Sequence, residues 1–241
     1  MKEDGNGTTP SWLEDRFIVV LNIADLLSLC ALVSALTALV CCMSGKFDFA
    51  IAALFVAAAF DFMDGPVARE LKITRDFGRY LDSFVDTVIY LLTPAVFLYS
   101  RGWNEPGYLA VLLLLISSGF VRLSVFNQVG NVRSAAGAPA YLGMPVFWVI
   151  PALALAQAAS WRVPFDTLSL VLAPVLAVFA FFMVRRTHFM KLTRWRLTCV
   201  IAVLLAAAFV WKGGVSAPSP KAAAATLDLV TSKPSTEGTR G

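Results

Sequence analysis

Apolar residues run almost unbroken along most of the chain, and polar ones collect in short gaps between the runs. A hydrocarbon core asks for about 20 apolar residues per helix. Seven stretches approach that length: residues 17–43, 47–69, 77–100, 107–127, 143–161, 165–184 and 197–211, the last of them short. Strands of a transmembrane barrel would be roughly half as long and would alternate in polarity, and these runs do not alternate. The pattern predicts an all-α, polytopic transmembrane helical bundle. No internal repeat is evident.

Composition strengthens this reading: 58% of the 241 residues are hydrophobic and 15% charged, against about 25% charged in soluble domains. The net charge of +4 does not point to nucleic acid, because the bases sit in the connections between apolar runs. Lys72, Arg75 and Arg79 surround the second connection, and Arg185, Arg186, Lys191, Arg194 and Arg196 crowd the sixth. Lys46, Arg101 and Arg162 stand alone in the first, third and fifth. The positive-inside rule then puts the even connections and the N-terminus in the cytoplasm.

Residues 1–16 lack the order of a cleavable signal peptide and are expected to stay as a cytoplasmic start. There Trp12 and Leu13 read either as an interfacial helix or as a plain aromatic anchor. Residues 212–241 are small, polar and Pro-containing and are expected to be disordered. Cys30, Cys41, Cys42 and Cys199 all lie inside apolar stretches, without metal or disulfide spacing, and read as core residues.

Five aspartates, Asp61, Asp64, Asp76, Asp82 and Asp86, lie within one stretch of 26 residues. Four of them fall on predicted spans, where a carboxylate costs a few kcal/mol unless it faces a polar cavity. Asp61 and Asp64 are three apart and Asp82 and Asp86 four apart, so each pair shares one helix face. The short connection folds the two helices back as neighbours, bringing all four carboxylates to one level. They would repel one another unless cations neutralise them, and Mg²⁺ or Mn²⁺ are the natural occupants. A di-iron bundle would want Glu-x-x-His pairs, yet the only histidine, His188, lies in a distant basic loop. Gly65, Ala68 and Gly78 leave room beside the acids for a ligand or for close helix packing, and Arg69 offers a fork for phosphate oxygens. Two divalent cations beside a guanidinium describe a phosphoryl-transfer site.

The run Asp61-x2-Asp64-Gly65-x2-Ala68-Arg69-x8-Gly78-x3-Asp82-x3-Asp86 resembles the signature of the CDP-alcohol phosphotransferase family, with all eight positions intact. The resemblance implies a six-helix core over residues 17–190, with the stretch 191–211 as an additional, seventh span. It further implies that an alcohol displaces CMP from CDP-diacylglycerol, that Asp61, Asp64 and Asp82 bind two metals, and that Asp86, also within the metal cluster, serves as base. Asp61, Gly65, Ala68, Arg69 and Gly78 would hold the CDP part. A homodimer in the cytoplasmic membrane, among membrane lipids, is implied as well.

For the acceptor, Arg122-Leu-Ser-Val-Phe-Asn127 is similar to a stretch of the family's bacterial membrane-type phosphatidylserine synthases, as are Tyr141-Leu-Gly-Met-Pro145 and Asp82-Ser83. Asn22 also falls where that subfamily's first span begins. Departures are Asp25 for a usual Thr, Val125 for an Arg and the run after Met144. L-Serine would want a cation for its carboxylate, and Arg122 and Arg133 are the candidates, although both also read as orienting charges. Choline would prefer an aromatic cage, for which Tyr90, Tyr141 and Trp148 stand available. Outside enzymes, intramembrane aspartates could serve a cation-coupled transporter, but the acids gather at one rim instead of the midplane.

Overall fold

Asn22 opens the first helix by a capping box: its side chain accepts the Asp25 N–H at 2.9 Å while the Asp25 carboxylate accepts the Asn22 N–H at 2.8 Å. The computed structural model describes residues 19–129, 132–133, 139–190 and 195–216. From Asn22 the chain forms α1 (Ile23–Met43), α2 (Phe47–Glu70) and α3 (Asp76–Thr87). A π-helical turn (Val88–Leu92) leads without a break into α4 (Thr93–Ser100). α5 (Pro106–Val129) follows, then a 3₁₀ turn (Val146–Trp148) with α6 (Val149–Ala159), α7 (Phe165–Val184) and α8 (Trp195–Ser216).

Among the described residues, six helical segments are long and apolar enough to cross a membrane: α1, α2, the continuous Asp76–Ser100, α5, α7 and α8. The seventh, Val146–Ala159, is shorter. The expectation that the last span is the short one is therefore corrected. Residues 143–145 stay out of the helix because Gly143 turns with φ +77° and its N–H binds the Thr187 carbonyl at 2.8 Å, while the Met144 N–H binds the Phe182 carbonyl at 3.0 Å. A Cβ at Gly143 would lie 2.5 Å from the Met183 carbonyl oxygen, so this seat needs glycine. α8 gains its length by running through Gly213, where a Cβ would lie 2.9 Å from the Phe49 ring. Residues 212–216, expected in a disordered tail, belong to this helix; the rest of the tail and residues 1–16 lie outside the described residues.

Three short strands, which the apolar pattern did not predict, cap one end of the bundle. β1 (Val132–Arg133), β2 (Pro139–Leu142) and β3 (His188–Met190) form an antiparallel sheet in that order, with Leu142 opposite His188 and Ala140 opposite Met190. The sheet holds the end of α5, the start of α6 and the end of α7 at one level. The Asn22 amide donates to the Ile73 carbonyl at 3.3 Å, and Arg196 faces Glu70 at 3.6 Å, which puts the turn between α2 and α3 at the starts of α1 and α8.

The opposite end has its own ties. The Asp48 carboxylate accepts from Gln157 at 2.8 Å and from the Trp161 indole at 3.0 Å. The Arg101 guanidinium lies between Phe47 and Phe165, 4.6 and 4.1 Å from their ring centres. α6 thus begins at one end and finishes at the other despite its length. α2 packs between α1 and α8. Both helices bury small residues: Ala31, Ala35, Ala38 and Cys42 on α1, and Ala50, Ala57 and Ala58 on α2. Such small residues let helix backbones approach closely in a membrane, where apolar burial alone does not drive association.

Candidate active site

The turn after α2 is closed by a Schellman motif: the Ile73 N–H reaches the Ala68 carbonyl at 2.9 Å and the Lys72 N–H reaches Arg69 at 3.2 Å. Lys72 takes the left-handed seat at φ 56°, which glycine usually fills. The chain reverses at once, so α3 returns alongside the acidic end of α2. A salt bridge from Arg75, at the head of α3, to the almost fully buried Asp25 of α1 fastens the reversal to the first helix.

Carboxylate oxygens of Asp61, Asp64 and Asp82 come within 4.8 Å of one another. Asp86, one turn beyond Asp82, lies close enough to Asp61 for the two carboxylates to interact. The Tyr90 hydroxyl donates to Asp61 Oδ2 at 2.6 Å, and the Ser28 hydroxyl donates to Asp64 Oδ2 at 2.5 Å. Three clustered carboxylates offer a hard, all-oxygen donor set that fits a divalent cation of the Mg²⁺ class, whose charge would offset their mutual repulsion.

Asp64 and Asp82 look into a cavity of 570 Å³ walled also by Gly65, Ala68, Arg69 and Gly78. Two glycines matter here for what stands beside them. The Arg69 guanidinium lies over Gly65, 3.4 Å from where a Cβ would be, and Asp25 Oδ1 lies 3.2 Å from the Cβ position of Gly78. Asp61 and Asp86 are absent from the wall; they lie deeper in the bundle, toward Tyr90.

Of the expected acceptor residues, Arg122 is buried on α5, its guanidinium 5.0 Å from the ring centre of Phe126, a cavity-wall residue. The same stretch meets the site through Asn127, which accepts from the Ser83 hydroxyl at 2.8 Å. The Arg133 backbone lies in β1, and its side chain is outside the described residues, as is that of Tyr141. Tyr90 and Trp148 do not form a cage. Tyr90 is buried with its hydroxyl on Asp61, whereas Trp148 is 41% exposed with its ring against Phe147.

Sequence reasoning missed the contribution of α1. Asn22, Asp25 and Ser28 recur every three residues on one face of an otherwise apolar helix, and each turns to the α2–α3 hairpin. That spacing is a signal the sequence does carry.

The fold and site define an integral membrane protein of helical architecture, with a carboxylate cluster opening on a polar cavity at one end of the bundle. The CDP-alcohol phosphatidyltransferase family profile matches residues 21–179, well over half of the chain, and the chain belongs to that family. It is 34% identical over 99 residues to the CDP-diacylglycerol–serine O-phosphatidyltransferase of Bacillus subtilis (strain 168), covering 40% of this chain and 53% of that one. It is 27% identical over 186 residues to the phosphatidylcholine synthase of Mesorhizobium japonicum, covering 74% and 62%. With the archaetidylserine synthase of Methanothermobacter thermautotrophicus it shares 30% identity over 122 residues, 48% and 52% of the two chains. The chain thus spans between half and two thirds of these relatives' length.

Proposed function

We propose that the protein transfers the phosphatidyl group of CDP-diacylglycerol to the hydroxyl of L-serine and releases CMP. The observation that carries this is the cluster of Asp61, Asp64 and Asp82, of which Asp64 and Asp82 face a cavity walled by Gly65, Ala68, Arg69 and Gly78. Two divalent cations, Mg²⁺ or Mn²⁺, held by Asp61, Asp64 and Asp82 with Asp86 beside them, would polarise the diphosphate and stabilise the departing phosphate. Arg69, which lies over Gly65, binds phosphate oxygens, and Gly65 and Gly78 keep side-chain bulk out of the cavity wall so that the nucleotide can enter. The serine oxygen attacks the phosphorus that carries diacylglycerol. A P–O bond forms, the P–O bond to CMP breaks, and a carboxylate oxygen of Asp86 takes the hydroxyl proton. Holding the hydroxyl in line with the leaving oxygen supplies much of the rate.

Serine as acceptor is supported by relatives that carry that name and by the Arg122–Asn127 stretch. That stretch is tied to the residue after Asp82 and has Phe126 on the cavity wall. Arg122 and Arg133 are proposed to hold the serine carboxylate. The site is placed at the cytoplasmic face on the strength of the charged connections, and a homodimer on the strength of the family. Choline is the second reading, favoured by the larger share of the chain that aligns with phosphatidylcholine synthases.

The test is CMP release from CDP-diacylglycerol by detergent-purified protein with Mn²⁺ or Mg²⁺, across serine, choline, glycerol 3-phosphate, inositol and inositol phosphate. Serine alone should drive release, with phosphatidylserine as product. Release with another alcohol overturns the acceptor assignment, and silence with all of them revives the transporter.

A further inference from the structure

Two hydroxyls outside the eight signature positions reach the carboxylates of α2 from other elements. Ser28, buried on α1, has two oxygens within range: Asp64 Oδ2 at 2.5 Å and its own Ala24 carbonyl at 3.3 Å. A hydroxyl has one proton to give, and the nearer, charged oxygen is the stronger acceptor. Serine within a helix ordinarily bonds back to the carbonyl four residues earlier; here the side chain leans away to another helix.

Tyr90 approaches Asp61 from the helix that carries Asp82 and Asp86. Tyr90 follows Asp86 by four residues and so shares its helix face, within the π turn at Val88–Leu92. Such turns recur at functional sites. The ring is almost fully buried, and the hydroxyl donates at 2.6 Å. Each donor reaches Oδ2 of its aspartate.

We propose that Ser28 and Tyr90 are positioning residues that hold Asp64 and Asp61 by Oδ2, so that both carboxylates are already oriented toward a common cation before it arrives. Partners of this kind orient metal ligands and restrict their rotamers. The proposal rests on the cation reading of the aspartates and adds two residues to it.

The experiment uses the full-length protein in detergent, with Ser28→Ala, Ser28→Thr, Tyr90→Phe and Asp64→Ala. Mn²⁺ binding is read directly by electron paramagnetic resonance without substrate, and CMP release is titrated with Mn²⁺. Ser28→Ala and Tyr90→Phe should each need about 10- to 100-fold more Mn²⁺, while the KM for CDP-diacylglycerol at saturating Mn²⁺ moves by no more than about twofold. Ser28→Thr, which keeps the hydroxyl, should return the Mn²⁺ requirement toward the parent. Tyr90→Phe keeps the ring and hence the packing, so a loss there belongs to the hydroxyl. Unchanged Mn²⁺ binding in both hydroxyl variants overturns the proposal, as does a lipid KM that rises as far as the metal requirement. Should Asp64→Ala bind Mn²⁺ as the parent does, the cation reading itself fails. Loss in Asp64→Ala with no change in Ser28→Ala and Tyr90→Phe sinks only the positioning role.

Discussion

Gly119→Ala should loosen the bundle at the place that aims Tyr90. Gly119 of α5 faces Leu91, the residue after Tyr90 in the π turn, and a Cβ there would lie 2.2 Å from Leu91 Cδ2, 2.8 Å from Cδ1 and 3.0 Å from Cγ. Carbon contacts settle at about 3.5–4.0 Å, so the leucine would have to retreat by roughly 1.3 Å or more. Leu91 is fully buried and has close-packed neighbours to retreat into, which is the overpacking case at about 1–3 kcal/mol. Alanine recovers up to about 1 kcal/mol over glycine in a helix, leaving a net loss of about 0–3 kcal/mol. Apolar transfer contributes little inside lipid or detergent, so the steric component stands nearly alone. The assay is SDS-driven unfolding in mixed micelles, followed by tryptophan fluorescence, for Gly119→Ala in the parent and in Leu91→Ala. With Leu91 shortened the alanine should be neutral or stabilising, giving a coupling of about 1–3 kcal/mol between the two sites. Equal effects of Gly119→Ala in both backgrounds would refute the clash. A displaced π turn should also raise the Mn²⁺ requirement of Gly119→Ala.

Asp61→Ala, Asp64→Ala and Asp82→Ala should each abolish CMP release and weaken Mn²⁺ binding; near-normal turnover in any of the three removes the cation site as described. Asp86→Asn should still bind Mn²⁺ yet lose turnover, by about 100-fold or more for a proton acceptor, and retained kcat would leave that role empty. Arg122→Ala should raise the KM for the acceptor alcohol more than that for CDP-diacylglycerol. Equal rises in both would assign the residue to packing against Phe126.

The acidic pairs were readable because their logic is local. Spacings of three and four put two carboxylates on one face of each helix, and a short charged connection folded the faces together. The readings that failed depended on distant partners. The apolar run 143–161 looked long enough to be a full span, but its first residues are spent on hydrogen bonds to Thr187 and Phe182. Lys212-Gly-Gly looked like the end of α8, yet the helix continues because Gly213 fits against Phe49. The strands escaped notice because β2 and β3 pair across some 46 residues, and neither is long enough to show a pattern of its own.

Period and composition alone determined that this chain is a helical membrane bundle with a cluster of acids at one end, since both follow from residue spacing and the apolarity of lipid. Only the tertiary structure decided what surrounds those acids. Ser28 lies 36 positions from Asp64, and Tyr90 lies 29 positions from Asp61 on a different helix. A hydroxyl's direction is set by the packing of whole helices, and that packing sums contacts too many and too distant to be read along one dimension.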